Sequence, residues 1–335
     1  MNYIPLSPGH RACAGCGQMI AARAVAESFG PNVIVANATG CLEVTTTAYP
    51  ESSWGMPWIH SLFENAPAVA SGILAAVKYR DAMNRVSTEN KKIKVVAQGG
   101  DGSTFDIGFG LLSGMWERGD DILYICYDNE AYANTGMQAS GATPWAANTS
   151  TTPSGKCLSA SPLLTRRGVG GEENSSEKTE KDKNSNHQSC SIDAIGSHQR
   201  KKDMIAIALA HGVKYVAQTT AGFPTDIANK IKKALAMPGP AYIQILCPCT
   251  PGWKIETNLA VKLGKLAVQT GLYPTIEYID GVLTQALKVP KPSPRVEEYL
   301  KLQGRFSHLF KNETGAEQIK NIQKIADANI EKYGL

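Results

Sequence analysis

Short apolar runs rich in β-branched residues alternate along this chain with longer stretches whose apolar positions recur at helical spacing. The runs at 33–36, 93–97, 122–127, 215–218 and 241–246 read as strands, and the stretches at 18–28, 66–83, 107–117, 203–211, 224–236 and 258–270 as helices. Strands that are almost continuously apolar are buried on both faces, so this alternation predicts an α/β fold: a parallel sheet flanked by helices. The helix at 66–83 is crowded with Ala, Val and Ile and is expected to be buried. One segment interrupts the rhythm. Residues 164–200 are rich in Ser, Asn, Glu, Lys and Gly, and from Gly171 to Gln188 there is no aliphatic or aromatic side chain. Such a stretch cannot bury enough apolar surface to offset its ordering entropy, and it reads as a mobile surface insertion. The βα pattern resumes at Met204, so residues 1–335 are expected to form a single domain. From about Tyr273 a C-terminal extension follows, with Pro-containing extended stretches and a helical pattern at 317–332, a tail of the kind that wraps a neighbour.

Composition narrows the class. With 335 residues, 43% of them apolar, the chain can bury a sizeable core. The formal charge of +4 is not gathered into a basic stripe interleaved with aromatics, so no nucleic-acid partner is expected. The start at Met1-Asn2-Tyr3-Ile4-Pro5 lacks the charged and apolar parts of a leader, and no run reaches about 18 apolar residues, so a cytoplasmic protein with no membrane span is expected. Eight cysteines in such a chain suggest metal or redox chemistry rather than a disulfide framework. Cys13, Cys16, Cys41, Cys247 and Cys249 lie in Gly- or Pro-rich, loop-like surroundings. Cys126 sits inside an apolar run and reads as a small buried hydrophobe, and Cys157 and Cys190 as solvent-exposed residues without a role.

The run Gln98-Gly99-Gly100-Asp101-Gly102-Ser103 follows a strand and precedes a helix, which places it at the carboxyl end of a parallel strand, where open α/β sheets bind ligands. The glycines let the backbone approach a phosphate, and the following helix offers N–H groups to the anion. A carboxylate at Asp101 beside a diphosphate makes sense with a cation between them, and Mg2+ takes one or two protein oxygens with phosphate and water completing its shell. The spacing lacks the third glycine and the distal acid of a dinucleotide site. Taken alone, Gly-Asp-Gly reads equally as a tight turn. It gains weight from Tyr127-Asp128-Asn129-Glu130-Ala131-Tyr132-Ala133-Asn134, which follows the next strand and would bring the Asn129 amide oxygen and a carbonyl near Ala131 to the same cation. Cys13-Ala14-Gly15-Cys16 has a spacing shared by zinc sites, thioredoxin-like pairs and iron–sulfur clusters, and does not choose among them.

Gly-Asp-Gly followed by Asn resembles the thiamine diphosphate fingerprint, and wider stretches resemble the β subunit of 2-oxoacid:ferredoxin oxidoreductases, most like the pyruvate type. These are 9–17 around Cys13 and Cys16, Ala38-Thr39-Gly40-Cys41, Pro57-Trp58-Ile59-His60-Ser61-Leu62-Phe63-Glu64-Asn65, Cys247-Pro248-Cys249 and the tail at 297–306. The resemblance covers nearly all of the chain outside the insertion and implies the diphosphate-side fold of thiamine enzymes. It implies that Gly100, Asp101, Gly102, Ser103, Asn129 and Ala131 hold thiamine diphosphate, with Asp101, Asn129 and the Ala131 carbonyl on Mg2+. By the same correspondence Asn134 is an active-site amide, and Glu64 belongs to the cofactor stretch without being its activating acid. Phe63 resembles an aromatic that packs on the cofactor, with simple core packing as the other reading. The resemblance assigns Cys13, Cys16, Cys41 and Cys249 to one 4Fe-4S cluster and leaves Cys247 spare.

The implied reaction is oxidative decarboxylation of pyruvate with coenzyme A to acetyl-CoA and CO2, reversible, with electrons passed to ferredoxin. An α subunit would complete the thiamine site and supply the activating carboxylate, and γ- and δ-type subunits would carry further clusters and the coenzyme A side. The alternatives are the same chemistry on a branched-chain, aryl or dicarboxylic 2-oxoacid such as oxalate, or a non-catalytic iron–sulfur electron-transfer subunit. Gln18 stands where some relatives carry an acid, which leaves polar contact with the pyrimidine open to it but not proton transfer. His10 and His60 read as structural or as substrate contacts. His211, closing a helix, reads as structural.

Overall fold

The computed structural model describes residues 4–83, 93–155 and 195–335. Most of the polar insertion, with Cys157 and Cys190, lies outside these residues. The five expected strands are present as β1 (Val33–Asn37), β3 (Lys94–Gly100), β4 (Ile122–Asp128), β5 (Tyr215–Thr220) and β6 (Ala241–Leu246), joined by a short β2 (Trp58–His60) and a pair, β7 (Ile276–Ile279) and β8 (Val282–Ala286). They form one sheet in the order β2-β1-β3-β4-β6-β5-β7-β8. The first six are parallel, and β7 and β8 run antiparallel at one edge.

Both faces of the central strands are covered. On β4, Leu123, Ile125 and Tyr127 pack toward α1 (Gly17–Glu27) and α6 (Pro224–Ala236), while Ile122, Tyr124 and Cys126 face the opposite layer. That layer holds α3 (Ala66–Met83), α4 (Phe109–Glu117) and α5 (Met204–Ala210). This two-sided burial is what the unbroken apolar strand pattern encoded. Cys126 is fully buried, as its setting suggested.

Three expectations are corrected. The helix expected from Ile107 instead begins as a π-helical turn over Gly102–Ile107, with α4 starting only at Phe109. The helix at 66–83 buries only Ala66, Pro67, Ala70 and Leu74, and leaves Tyr79 and Met83 exposed, because its small apolar residues are spread around the axis rather than set in one stripe. The C-terminal extension also packs on its own chain. β7 pairs with β5, while α8 (Val296–Lys301) and α9 (Glu313–Tyr333) close a separate core around Trp253, Tyr299, Phe306, Ile319 and Ile322. The last helix starts earlier than the apolar pattern indicated, because Asn312 caps it by accepting a hydrogen bond from the Gly315 N–H. Among the described residues no helix is long and apolar enough to cross a membrane.

Candidate functional site

Four neighbouring parallel strands, β1, β3, β4 and β6, deliver the chemistry-bearing residues at their carboxyl ends. The segment after β1 carries Thr39, Gly40 and Cys41, β3 leads into Asp101, β4 into Asn129, and β6 into Cys247-Pro248-Cys249. Gly100 is in register with Tyr127 on β4, so Asp101 and Asp128 emerge side by side. Asn129 then donates its backbone N–H to Asp101 Oδ1 at 3.1 Å, and Ser140 Oγ donates to Oδ2 at 2.5 Å.

The Asp101 carboxyl is almost fully buried, and burial followed by the neighbouring Asp128 carboxylate lifts its pKa well above the ordinary carboxylate range. Beside it, Asn129 Oδ1 is buried without a hydrogen-bond partner. A buried carboxyl that resists ionisation next to an unsatisfied amide oxygen is a donor set that a hard cation would complete, at the same time satisfying the oxygen and stabilising the charge.

These groups line a cavity of about 170 Å3 whose wall also includes Phe63, Gly100, Gly102, Ala131, Tyr132 and Asn134. A Cβ on Gly100 would meet only the Tyr127 carbonyl, at 3.9 Å, so its backbone is uncrowded on that side, whereas a Cβ on Gly102 would collide with the Tyr132 ring. Tyr132 meets the Phe63 ring edge-on at 5.9 Å between centroids and donates its hydroxyl to Asp106 Oδ2 at 2.9 Å. The sequence reading gave Tyr132 no role, although it lies inside the 127–134 motif. Two residues singled out from sequence are not on this wall. Glu64 has its carbonyl close to Gly108, and the Ser103 hydroxyl is buried near Gly99.

A second cavity, of about 190 Å3, is ringed by Cys13, Cys16, Cys41 and Cys249, with Cys247 in its floor. The loop carrying Cys13 and Cys16 is pinned to the β6 end: Gly17 N–H donates to Pro248 O at 3.1 Å, and a Cβ on Gly15, at φ +69°, would strike the Thr257 carbonyl. Burial, with the other thiols of the ring adding to it, pushes Cys41 up to about 12, and burial also lifts Cys249 to about 11. A metal centre removes that penalty by binding thiolate. Among the described residues no three His, Cys, Asp or Glu side chains are placed to grip one ion. Cysteine thiols around one cavity are the kind of donor that both zinc and iron–sulfur centres take. Cys247 is fully buried, and its Sγ–H donates to Ile245 O at 3.2 Å.

The two cavities share a wall made of Gln18, Cys41, Leu42, Asn129, Ala133 and Asn134. Beneath it runs a charged lattice that the sequence did not reveal. Lys201 pairs with Asp128 and Glu130, and Arg305 with the other oxygen of Glu130 at 2.6 Å. Burial raises the Asp128 pKa despite Lys201, while for Glu130 the two cations outweigh the cost of burial and hold it low. Glu130 adopts φ +65°, a conformation that costs about 1–3 kcal/mol off glycine and persists only where surroundings enforce it. Those surroundings include Thr143 Oγ1, which donates to Glu130 O at 2.8 Å. A larger cavity of about 430 Å3 lies behind the lattice, under the C-terminal extension, and reaches none of the cysteines. Of the histidines, His60 bonds Thr39 Oγ1 at 2.8 Å near the first cavity, whereas His211 is taken up by Ser113 and Ile207 in a structural role.

Residues 38–245 match the model of the C-terminal TPP binding domain of thiamine pyrophosphate enzymes. The chain belongs to this thiamine pyrophosphate enzyme family. Within it, the chain is 47% identical to the pyruvate synthase subunit PorB of Methanosarcina barkeri, across 98% of this chain and 97% of that one. It is 45% identical to the PorB subunit of Methanocaldococcus jannaschii, across 98% and 96%. A ketoisovalerate oxidoreductase subunit VorB from Pyrococcus abyssi is 37% identical, across 94% and 88%. Among solved structures, a 2-oxoglutarate:ferredoxin oxidoreductase from Magnetococcus marinus shares the fold, with a TM-score of 0.52 at 20% identity over 78% of each chain. The thiamine pyrophosphate match spans Asp101, Asn129 and Asn134 and takes in the wall of the first cavity apart from Gln18 and Asn37. Cys13, Cys16 and Cys249 fall outside it and are covered by the PorB relatives.

Proposed function

We propose that this chain is the thiamine diphosphate-binding subunit of a 2-oxoacid:ferredoxin oxidoreductase that converts pyruvate and coenzyme A to acetyl-CoA and CO2, reversibly, and delivers the electrons to ferredoxin. The observation that carries the reading is the shared wall: the cavity holding Asp101 and the cavity ringed by four thiols are separated only by side chains such as Asn134 and Gln18. When bound, thiamine diphosphate supplies a nucleophilic carbon and an electron sink for decarboxylation, and an iron–sulfur cluster accepts electrons singly.

The chain's own residues then have distinct tasks. Asp101, Asn129 Oδ1 and the Ala131 carbonyl hold Mg2+, and the backbone at Gly100 and Gly102 meets the diphosphate. Phe63 and Tyr132 wall the cofactor, and Asn134 offers its amide at the reacting centre, with Gln18 as a polar neighbour. Cys13, Cys16, Cys41 and Cys249 hold the 4Fe-4S cluster. A partner subunit fits the same reading. Asp101 is the one carboxylate on the described wall of the first cavity and it serves the cation, so the acid that activates the aminopyrimidine comes from outside, from the α subunit. Further clusters and the coenzyme A side belong to γ- and δ-type subunits, and a cytoplasmic location is part of the reading. Pyruvate is preferred over a branched-chain substrate because the PorB relatives reach 47% identity and the VorB relative 37%. The test is ferredoxin reduction by the assembled complex with pyruvate and coenzyme A. Cofactor-dependent reduction is expected, and its absence with every 2-oxoacid tried overturns the proposal.

A further inference from the structure

Lys201 and Lys202 are neighbours in sequence that reach different cofactor loops. Lys201 Nζ lies 2.5 Å from Asp128 Oδ2 and 2.9 Å from Glu130 Oε1, on the two sides of Asn129. Lys202 Nζ donates to Asp106 Oδ1 and to Phe105 O, both at 2.6 Å, within the turn that Asp101 opens. In extended chain, successive side chains point to opposite sides, so one dipeptide can grip two separate loops. Each grip continues to the cavity wall. Asp106 Oδ2 receives the Tyr132 hydroxyl and the Gly141 N–H at 2.8 Å, and Lys202 N–H donates to Gly141 O at 2.9 Å. On the other side Arg305 holds the free oxygen of Glu130 and stacks over Trp253 at 3.8 Å, and Trp253 Nε1–H donates to Asn129 O at 2.9 Å.

We propose that Lys201-Lys202 is a positioning clamp that sets the separation of Asp101 from Asn129 by tying the end of β3 to the end of β4. The proposal rests on the reading of that pair as the cation and diphosphate holders. It also accounts for the charge balance. Asp101, Asp128 and Glu130 crowd one buried region, and Lys201 is the cation that bridges two of them; without it the buried Asp128 charge would be met by neutral donors, the Gln244 amide at 2.8 Å and the Glu130 backbone N–H at 3.1 Å. The lysines touch neither cavity content directly, so they act through Asp128, Glu130 and Asp106.

The test compares assembled complexes carrying wild-type, K201M, K202M, K201R or K202R chains. Thiamine diphosphate is titrated at fixed Mg2+, with turnover and the unfolding temperature of the cofactor-free complex measured alongside. Because Lys202 is half exposed, K202M should fold as the wild type does. Its half-saturating thiamine diphosphate concentration should rise about tenfold, the scale of losses when a ligand's supporting partner is removed, with turnover at saturating cofactor nearly kept. K202R should restore most of the affinity, and K201M should lose more than K202M, with K201R again recovering. Wild-type affinity in K202M and K201M overturns the clamp, as does a lowered unfolding temperature with unchanged cofactor affinity. A wild-type complex that binds no thiamine diphosphate overturns the underlying reading instead. Where K201M does not assemble, K202M alone decides.

Discussion

The backbone N–H of Asn129 donates to Asp101 Oδ1 at 3.1 Å while the Asn129 side-chain oxygen, buried a few ångströms of chain away, accepts nothing. One residue therefore both steadies the carboxylate and keeps an open acceptor beside it. Such an unsatisfied oxygen costs about 1–3 kcal/mol when buried, so its retention points to binding rather than stability. The variant N129L should abolish Mg2+-dependent retention of thiamine diphosphate while the cofactor-free complex unfolds at the wild-type temperature or above. A clear drop in that temperature, measured by differential scanning calorimetry, would assign Asn129 to the fold instead.

Gly102 makes room for Tyr132. Since an added Cβ would collide with the ring, G102A should displace Tyr132 from Phe63 and from Asp106, and weaken cofactor binding. A steric cause predicts partial relief in the double variant G102A/Y132A, an interaction of about 0.5–3 kcal/mol between contacting residues. Strictly additive losses in cofactor titrations would exclude the collision as the reason for glycine.

Glu277 on β7 ties the antiparallel edge to α6 and β5. Burial alone would raise its carboxyl, but hydrogen bonds from Lys233 at 2.9 Å and from Tyr215 at 2.8 Å outweigh it and hold the pKa below the ordinary value. A depressed folded pKa gives stability that is present above the unfolded carboxylate pKa, about 4.3, and is lost as pH falls through the folded one. The urea midpoint of wild type should therefore exceed that of E277Q at pH 7, and the gap should close below about pH 4. A gap that does not change with pH would show that the charge contributes nothing.

The sheet and the juxtaposition of Asp101 with Asn129 were legible in the sequence because both are local: apolar strands, then Gly-Asp-Gly and Asp128-Asn129 at their ends. The π-helical turn at Gly102–Ile107 was not, since its apolar pattern continues smoothly into α4 and only the packing against Tyr132 and Gly108 distinguishes it. Lys201, Lys202 and Arg305 were missed for a different reason. The lysines abut a polar segment whose composition masks them, and Arg305 is a hundred residues further on. What joins them is a buried charge lattice, and pairing across such distances leaves no periodic trace. The antiparallel β7 and β8 were read only as extended tail, because β7 is short and β8 is exposed along most of its length and carries no strong alternation.

The pair Cys247 and Cys249 allows a sharp discrimination, since only the packing separates two thiols of one short motif. Cys249 stands in the ring of the second cavity beside Cys13, Cys16 and Cys41, and its pKa is lifted by burial and then by Cys16 and Cys13. Cys247 is fully buried between β6 and α1, with its Sγ–H committed to Ile245 O. C249A should therefore eliminate the 4Fe-4S absorbance and the EPR signal of the reduced complex, along with ferredoxin reduction. C247A should keep the cluster signals and show only a packing loss, about 1 kcal/mol for a small buried side chain. Survival of the cluster spectrum in C249A, or its loss in C247A, would exchange the two assignments and move the fourth ligand into the core, where the thiolate would lie nearer to Asp128 and the β4 end.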